Sequence, residues 1–131
     1  MRLPVHNLQQ LEDALSEPSQ PLVDAMARLK GDMMVLGVAG KMGPSLARMA
    51  KRASDAAGVK RRVIGVSRFS SPEQQQELNH YGVETIACDL LNTSALASLP
   101  EIPNIIYMAG MKFGSTGNES ATWMMNTVLP A

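Results

Sequence analysis

The spacing of apolar positions changes near residue 33 and divides the chain in two. Before that point Leu8, Leu11 and Leu15 fall on one helical face, with Asn7 and Gln10 spaced as a capping pair. Pro18 and Pro21 interrupt. Leu22, Val23, Met26 and Leu29 then recur at helical spacing until Gly31-Asp32 stops the run. Residues 1–31 are thus expected to be a helical preamble packed on the outside of a domain spanning 32–131, with a partner-binding arm as the alternative.

From Met33 to Val38 the residues are almost continuously apolar, as in a strand buried on both faces. Pro44 opens a helix whose apolar face is Leu46, Met49, Ala50, Ala53 and Ala57, with Arg48, Lys51, Arg52 and Asp55 outward and Gly58 at its end. The alternation continues with a strand over 62–67, a helix from Ser71-Pro72 with Gln74 to Gly82, and a strand over 83–88. A short helix over 93–99 and a strand over 104–109 follow, then a Gly-rich loop through Gly117 and a last helix from near Glu119. Strands alternating with helices predict right-handed crossovers and a parallel sheet, an α/β Rossmann-like doubly wound fold. No closing strand follows the last helix, so the sheet reads as truncated, the cofactor half of something larger or a shortened product.

Composition narrows the function classes. Twelve Lys+Arg balance twelve Asp+Glu, and aromatic residues make up 4%, which argues against a nucleic-acid surface. One cysteine excludes a disulfide framework and suits a reducing compartment. His6 and His80 lack ligand spacing, so no metal site follows. No apolar run is long enough to span a membrane, and the polar start is no signal peptide, so a cytoplasmic location is expected.

The chemistry lies at strand ends. Gly37-Val38-Ala39-Gly40-Lys41-Met42-Gly43 sits between the first strand and its helix, where a dinucleotide pyrophosphate needs a tight turn, close backbone approach and free N–H groups. Gly37 suits the turn, Gly40 the close approach and Gly43 the packing of helix on strand. Lys41 and Met42 belong to the same cofactor-lining loop; Lys41 either adds charge near the phosphates or is a solvated lysine. Ser67-Arg68 closes the second strand, where the adenosine ribose would lie. An arginine there favours a 2′-phosphate, hence NADP over NAD, unless it is an ordinary surface cation. Asp89-Leu90 ends the third strand, with Asp89 either accepting from the adenine amino group or capping the next helix. Cys88 reads as a small buried residue.

These residues, with Ile105-Ile106-Tyr107-Met108-Ala109-Gly110 and Trp123-Met124-Met125-Asn126, resemble in order the N-terminal part of the extended short-chain dehydrogenase/reductases, the NAD-dependent epimerase/dehydratase group. The likeness covers roughly residues 33–131. It implies that Ala109 and Gly110 flank the nicotinamide ribose, and that Asn126 supports a proton relay by positioning a water. Pro130 gives Asn126 a physical reading too: the proline has no N–H for the Asn126 carbonyl, which is thereby freed inside a helix. Alternatively the helix ends before Pro130 and Asn126 faces solvent. The group's Tyr-x-x-x-Lys pair is missing, since Thr85 and Met111 stand four residues after Tyr81 and Tyr107.

The resemblance implies the NAD(P)-binding portion of an epimerase, dehydratase or reductase that transfers hydride on a sugar nucleotide or similar small carbonyl/alcohol substrate. A non-catalytic NADP-binding sensor or interaction module is the alternative, and a doubly wound domain without dinucleotide the third. A sheet cut short exposes an edge, so a homodimer, or marginal stability without cofactor, is expected.

Overall fold

A computed structural model of the chain describes residues 4–110, 117 and 119–131. Four short strands, β1 (Met33–Leu36), β2 (Val63–Ser67), β3 (Glu84–Ala87) and β4 (Asn104–Tyr107), form one parallel sheet in the order β3-β2-β1-β4. The chain winds outward from β1 to β3, then crosses back to lay β4 on the other side of β1. Direction therefore reverses between β1 and β4, and in such sheets the crevice at the strands' carboxyl ends opens at that point. The sequence-predicted α/β Rossmann-like architecture is the one found. The Gly-rich loop expected after β4 falls, over 111–116 and 118, outside the described residues.

The two central strands, β1 and β2, alternate their side chains between two apolar layers, while at the edges Glu84 of β3 and Ile105 of β4 are exposed. Met33, Val35 and Val63 pack with Met26, Val38, Leu78 and Val83 and with Ala47, Ala50 and Ala53 of α3 (Gly43–Ala56). Met34, Ile64 and Val66 face the other layer, with Cys88, Leu90 and partly buried residues of α5 (Thr93–Ala97) and its flanks. Alanines along α3 bring its backbone close to the sheet. Gly65 of β2 makes room for Val38, since a Cβ there would lie 2.8 Å from Val38 Cγ1. β1 ends earlier than its apolar run suggests because the Gly37 and Val38 N–H groups both turn to the Val66 carbonyl, at 2.8 and 3.1 Å.

Two helices precede the sheet, α1 (Leu8–Leu15) and α2 (Gln20–Arg28). α2 contributes Met26 to the core and keeps Pro21 within its first turn, where a missing N–H costs nothing. The Asn7–Gln10 cap forms: Asn7 Oδ1 accepts from Gln10 N at 2.9 Å, and Gln10 Oε1 accepts from His6 N at 2.7 Å.

α1 corrects the expected facing of α3. Leu8, Leu11 and Leu15 stay exposed, and the helix attaches through its polar side. Ser45 donates to Glu12, Arg48 pairs with Asp13 at 2.6 Å, and Arg52 donates to the Asp13 carbonyl and to Ser16. Arg48 also lies 3.7 Å above the Tyr81 ring. Arg48 and Arg52 thus meet α1 and not solvent, because α1 covers the outer surface of α3.

Candidate functional site

The glycine loop occupies the turn from β1 into α3. Gly37 has a φ of +81°, and a Cβ on it would lie 2.5 Å from the Ala109 nitrogen. Gly43 is held to glycine by the Val38 carbonyl oxygen, 2.0 Å from its virtual Cβ. Gly40 differs: the nearest atom, the Gly37 carbonyl oxygen, is 3.5 Å away, an ordinary contact. Packing within the protein leaves space at Gly40, on the wall of a cleft. Beyond it α3 begins at Gly43 with Met42 at the cap position; no side chain caps its first turn, in which Gly43 and Ser45 have an N–H to offer and Pro44 has none.

That cleft has a volume of about 720 Å³. It gathers Gly37 and Gly40 from the loop, Ser67 and Arg68 from the end of β2, Asp89 and Leu90 from beyond β3, and Ala109 and Gly110 from beyond β4. Lys41, Met42 and Gly43 do not line it; Lys41 and Met42 are exposed on the loop. Asn126 stands at its margin, with Oδ1 3.1 Å from the position a Cβ on Gly110 would take. Its neighbours Ala121 and Met125 are on the wall itself.

Sequence reasoning missed part of this wall. Gln74, read as a helix-start residue, sends its amide across to donate to the Ala39 carbonyl at 2.9 Å, tying α4 (Pro72–His80) to the glycine loop. Its spacing from Ser71 matched a cap, but the Ser71 hydroxyl donates to Glu73 instead. Phe69, next to Arg68, has a φ of +51°, a backbone region side chains rarely adopt. A solitary phenylalanine carries no sequence signal for that.

Polar groups facing the cleft are sparsely used. Arg68 is exposed and makes no hydrogen bond or ion pair with the described residues. Asp89 Oδ1 accepts from Leu91 N at 3.0 Å in a local turn, while the cap of α5 is Asn92. Burial, and then the neighbouring Asp89 carboxylate, push the Cys88 thiol above its ordinary range, so it is not poised as a nucleophile. Among the described residues no cluster of His, Cys, Asp or Glu is grouped to hold a metal ion, and no helix is long and apolar enough to cross a membrane.

The sequence profile of the NAD dependent epimerase/dehydratase family matches residues 33–130. A solved structure titled "cmcI-D160 Mg-SAM" is similar at 18% identity and a TM-score of 0.44. The similarity takes in 83% of this chain and 46% of that one, so this chain spans less than half of that structure's length. No curated protein matches the chain.

Proposed function

The chain belongs to the NAD dependent epimerase/dehydratase family, and from that premise we propose that its cleft binds NADP in preference to NAD. A nicotinamide dinucleotide, when bound, supplies the hydride donor or acceptor of an oxidoreductase. The protein's part is to bind and orient it.

One observation carries the reading: Gly40 is side-chain-free without any internal need, on the wall of the crevice where the sheet reverses and a few residues ahead of an uncapped helix start. A pyrophosphate there would accept hydrogen bonds from backbone N–H groups at the start of α3. Ser67 would bond the adenosine ribose and Arg68 would pair with a 2′-phosphate, which its unengaged guanidinium supports. Asp89 would accept from the adenine amino group through its second carboxylate oxygen, and Leu90 would complete that wall. Ala109 and Gly110 would lie along the nicotinamide ribose, with Asn126 beside them holding a water in the proton relay. The substrate would be a sugar nucleotide or a similar carbonyl or alcohol compound.

A second reading, an NADP-binding sensor or interaction module, draws on the lack of a Tyr-x-x-x-Lys pair within these 131 residues. Titration of the folded chain with NADPH and NADH tests both, and saturable binding with NADPH the tighter is expected. If neither binds, the assignment of the cleft fails. A Tyr-x-x-x-Lys pair encoded beyond residue 131 would remove the sensor reading.

A further inference from the structure

We infer that Tyr107 is a positioning residue for the nicotinamide end of the cleft, acting through the main chain of the last helix. The inference rests on the dinucleotide reading above.

After α6 (Glu119–Trp123) the chain continues as a π-helical segment, Met124–Val128. Leu129 N donates to the Met124 carbonyl at 2.8 Å, a step of five residues in place of four. Such wide turns are uncommon. The next bond in this register would run from residue 130 to the Met125 carbonyl, but Pro130 has no N–H. The Tyr107 hydroxyl donates to that carbonyl instead. Burial pushes the Tyr107 phenol above its ordinary range, so it stays protonated and a donor throughout the neutral range.

Tyr107 is the last residue of β4, and this bond joins the sheet to the segment. Leu129 adds an apolar anchor by packing with Ala109 against the layer around Met34 and Ile64. Between the two anchors, Met125 lines the cleft and Asn126 reaches Gly110. The carbonyl that proline leaves over is thus Met125's in this register, and a tyrosine answers it. Without the hydroxyl, the wide turn loses its external donor and the segment spends less time against the cleft. A ligand that needs the segment in place then binds more weakly in proportion to that lost fraction.

The test uses the full chain with two probes, NADPH and ADP-ribose, which lacks the nicotinamide. In Tyr107→Phe the affinity for NADPH should fall about five-fold, by loss of the binding-competent fraction. The change in nicotinamide emission on binding should shrink with it, while ADP-ribose binds as in the wild type. In Tyr107→Phe with Pro130→Ala, residue 130 regains an N–H for the segment and NADPH affinity should recover. Unchanged emission in the single variant, equal losses for both probes, or no recovery in the double variant would overturn the inference. A folded wild type that binds neither probe would instead overturn the dinucleotide reading itself.

Discussion

The two ends of the parallel sheet treat polar groups in opposite ways. At the amino end the polar groups buried or set at strand starts are matched. Arg61 is buried and donates to the carbonyls of Gly31, Met26 and Leu29, to the Ser54 hydroxyl and to the Met26 sulfur. Its acceptors are neutral, and those from α2 lie near the negative end of that helix's dipole. Arg62 bonds Glu84 and gives its N–H to Asp32, while Asn104 donates to the Lys30 and Asp32 carbonyls. A second cavity of about 470 Å³ opens beside this network; Lys51, Arg61 and Arg62 on its wall are partnered, and Lys60 is exposed. At the carboxyl end Arg68 has no partner among the described residues, α3 has no side-chain cap and Phe69 has a φ of +51°. Polar chemistry at the amino end joins elements distant in sequence; at the carboxyl end it makes fewer such ties, Gln74 to the Ala39 carbonyl being one.

Three substitutions can break or sharpen this contrast. The largest effect is expected at Arg61. Arg61→Leu strands several buried carbonyls and should cost about 3 kcal/mol of stability in urea denaturation. Retention of wild-type stability would show that the amino-end network is incidental.

Arg68→Ala should leave the melting temperature unchanged while the preference for NADPH over NADH drops about ten-fold, as expected for losing an arginine–phosphate pair. A stability loss without change in preference would place Arg68 with the structural arginines.

The smallest effect concerns acid. The Arg48 hydrogen bond, followed by one from Gln9, holds the Asp13 carboxyl below its ordinary range. A depressed folded-state value means this contribution is complete above the unfolded value and lost as pH falls through the folded one. The wild type should therefore lose slightly more melting temperature than Asp13→Asn on acidification below about pH 4. Parallel curves for the two proteins would mean the Asp13–Arg48 ion pair adds nothing.

Most of the fold could be read from the sequence because apolar spacing and glycine placement are local signals. All four strands and the helices between them lie where the spacing predicts, with ends moved by a residue or two by turns such as that at Gly37. The residue positions around the cleft were legible for the same reason, since Gly37, Ser67, Asp89 and Ala109 stand at or just beyond strand ends. What escaped depends on partners distant in sequence. Arg61 sat between polar neighbours, and nothing local showed that α2 would lay its carbonyls over it. Periodicity grouped Leu8, Leu11 and Leu15 correctly on one face but carried no information about what that face meets. α1 docks by its other side because the outer surface of α3 offers Arg48 and Arg52. Pro130 pointed to a disturbed carbonyl, but the wide register and Tyr107 shift the effect to Met125.

The difference between Gly40 and its two companions is the most direct test of the central claim. Gly40→Ala should fold and melt as the wild type does, because its Cβ meets only an ordinary contact, yet it should lose about 100-fold in NADPH affinity by calorimetric titration. NADPH binding equal to that of the wild type in this variant would contradict the account.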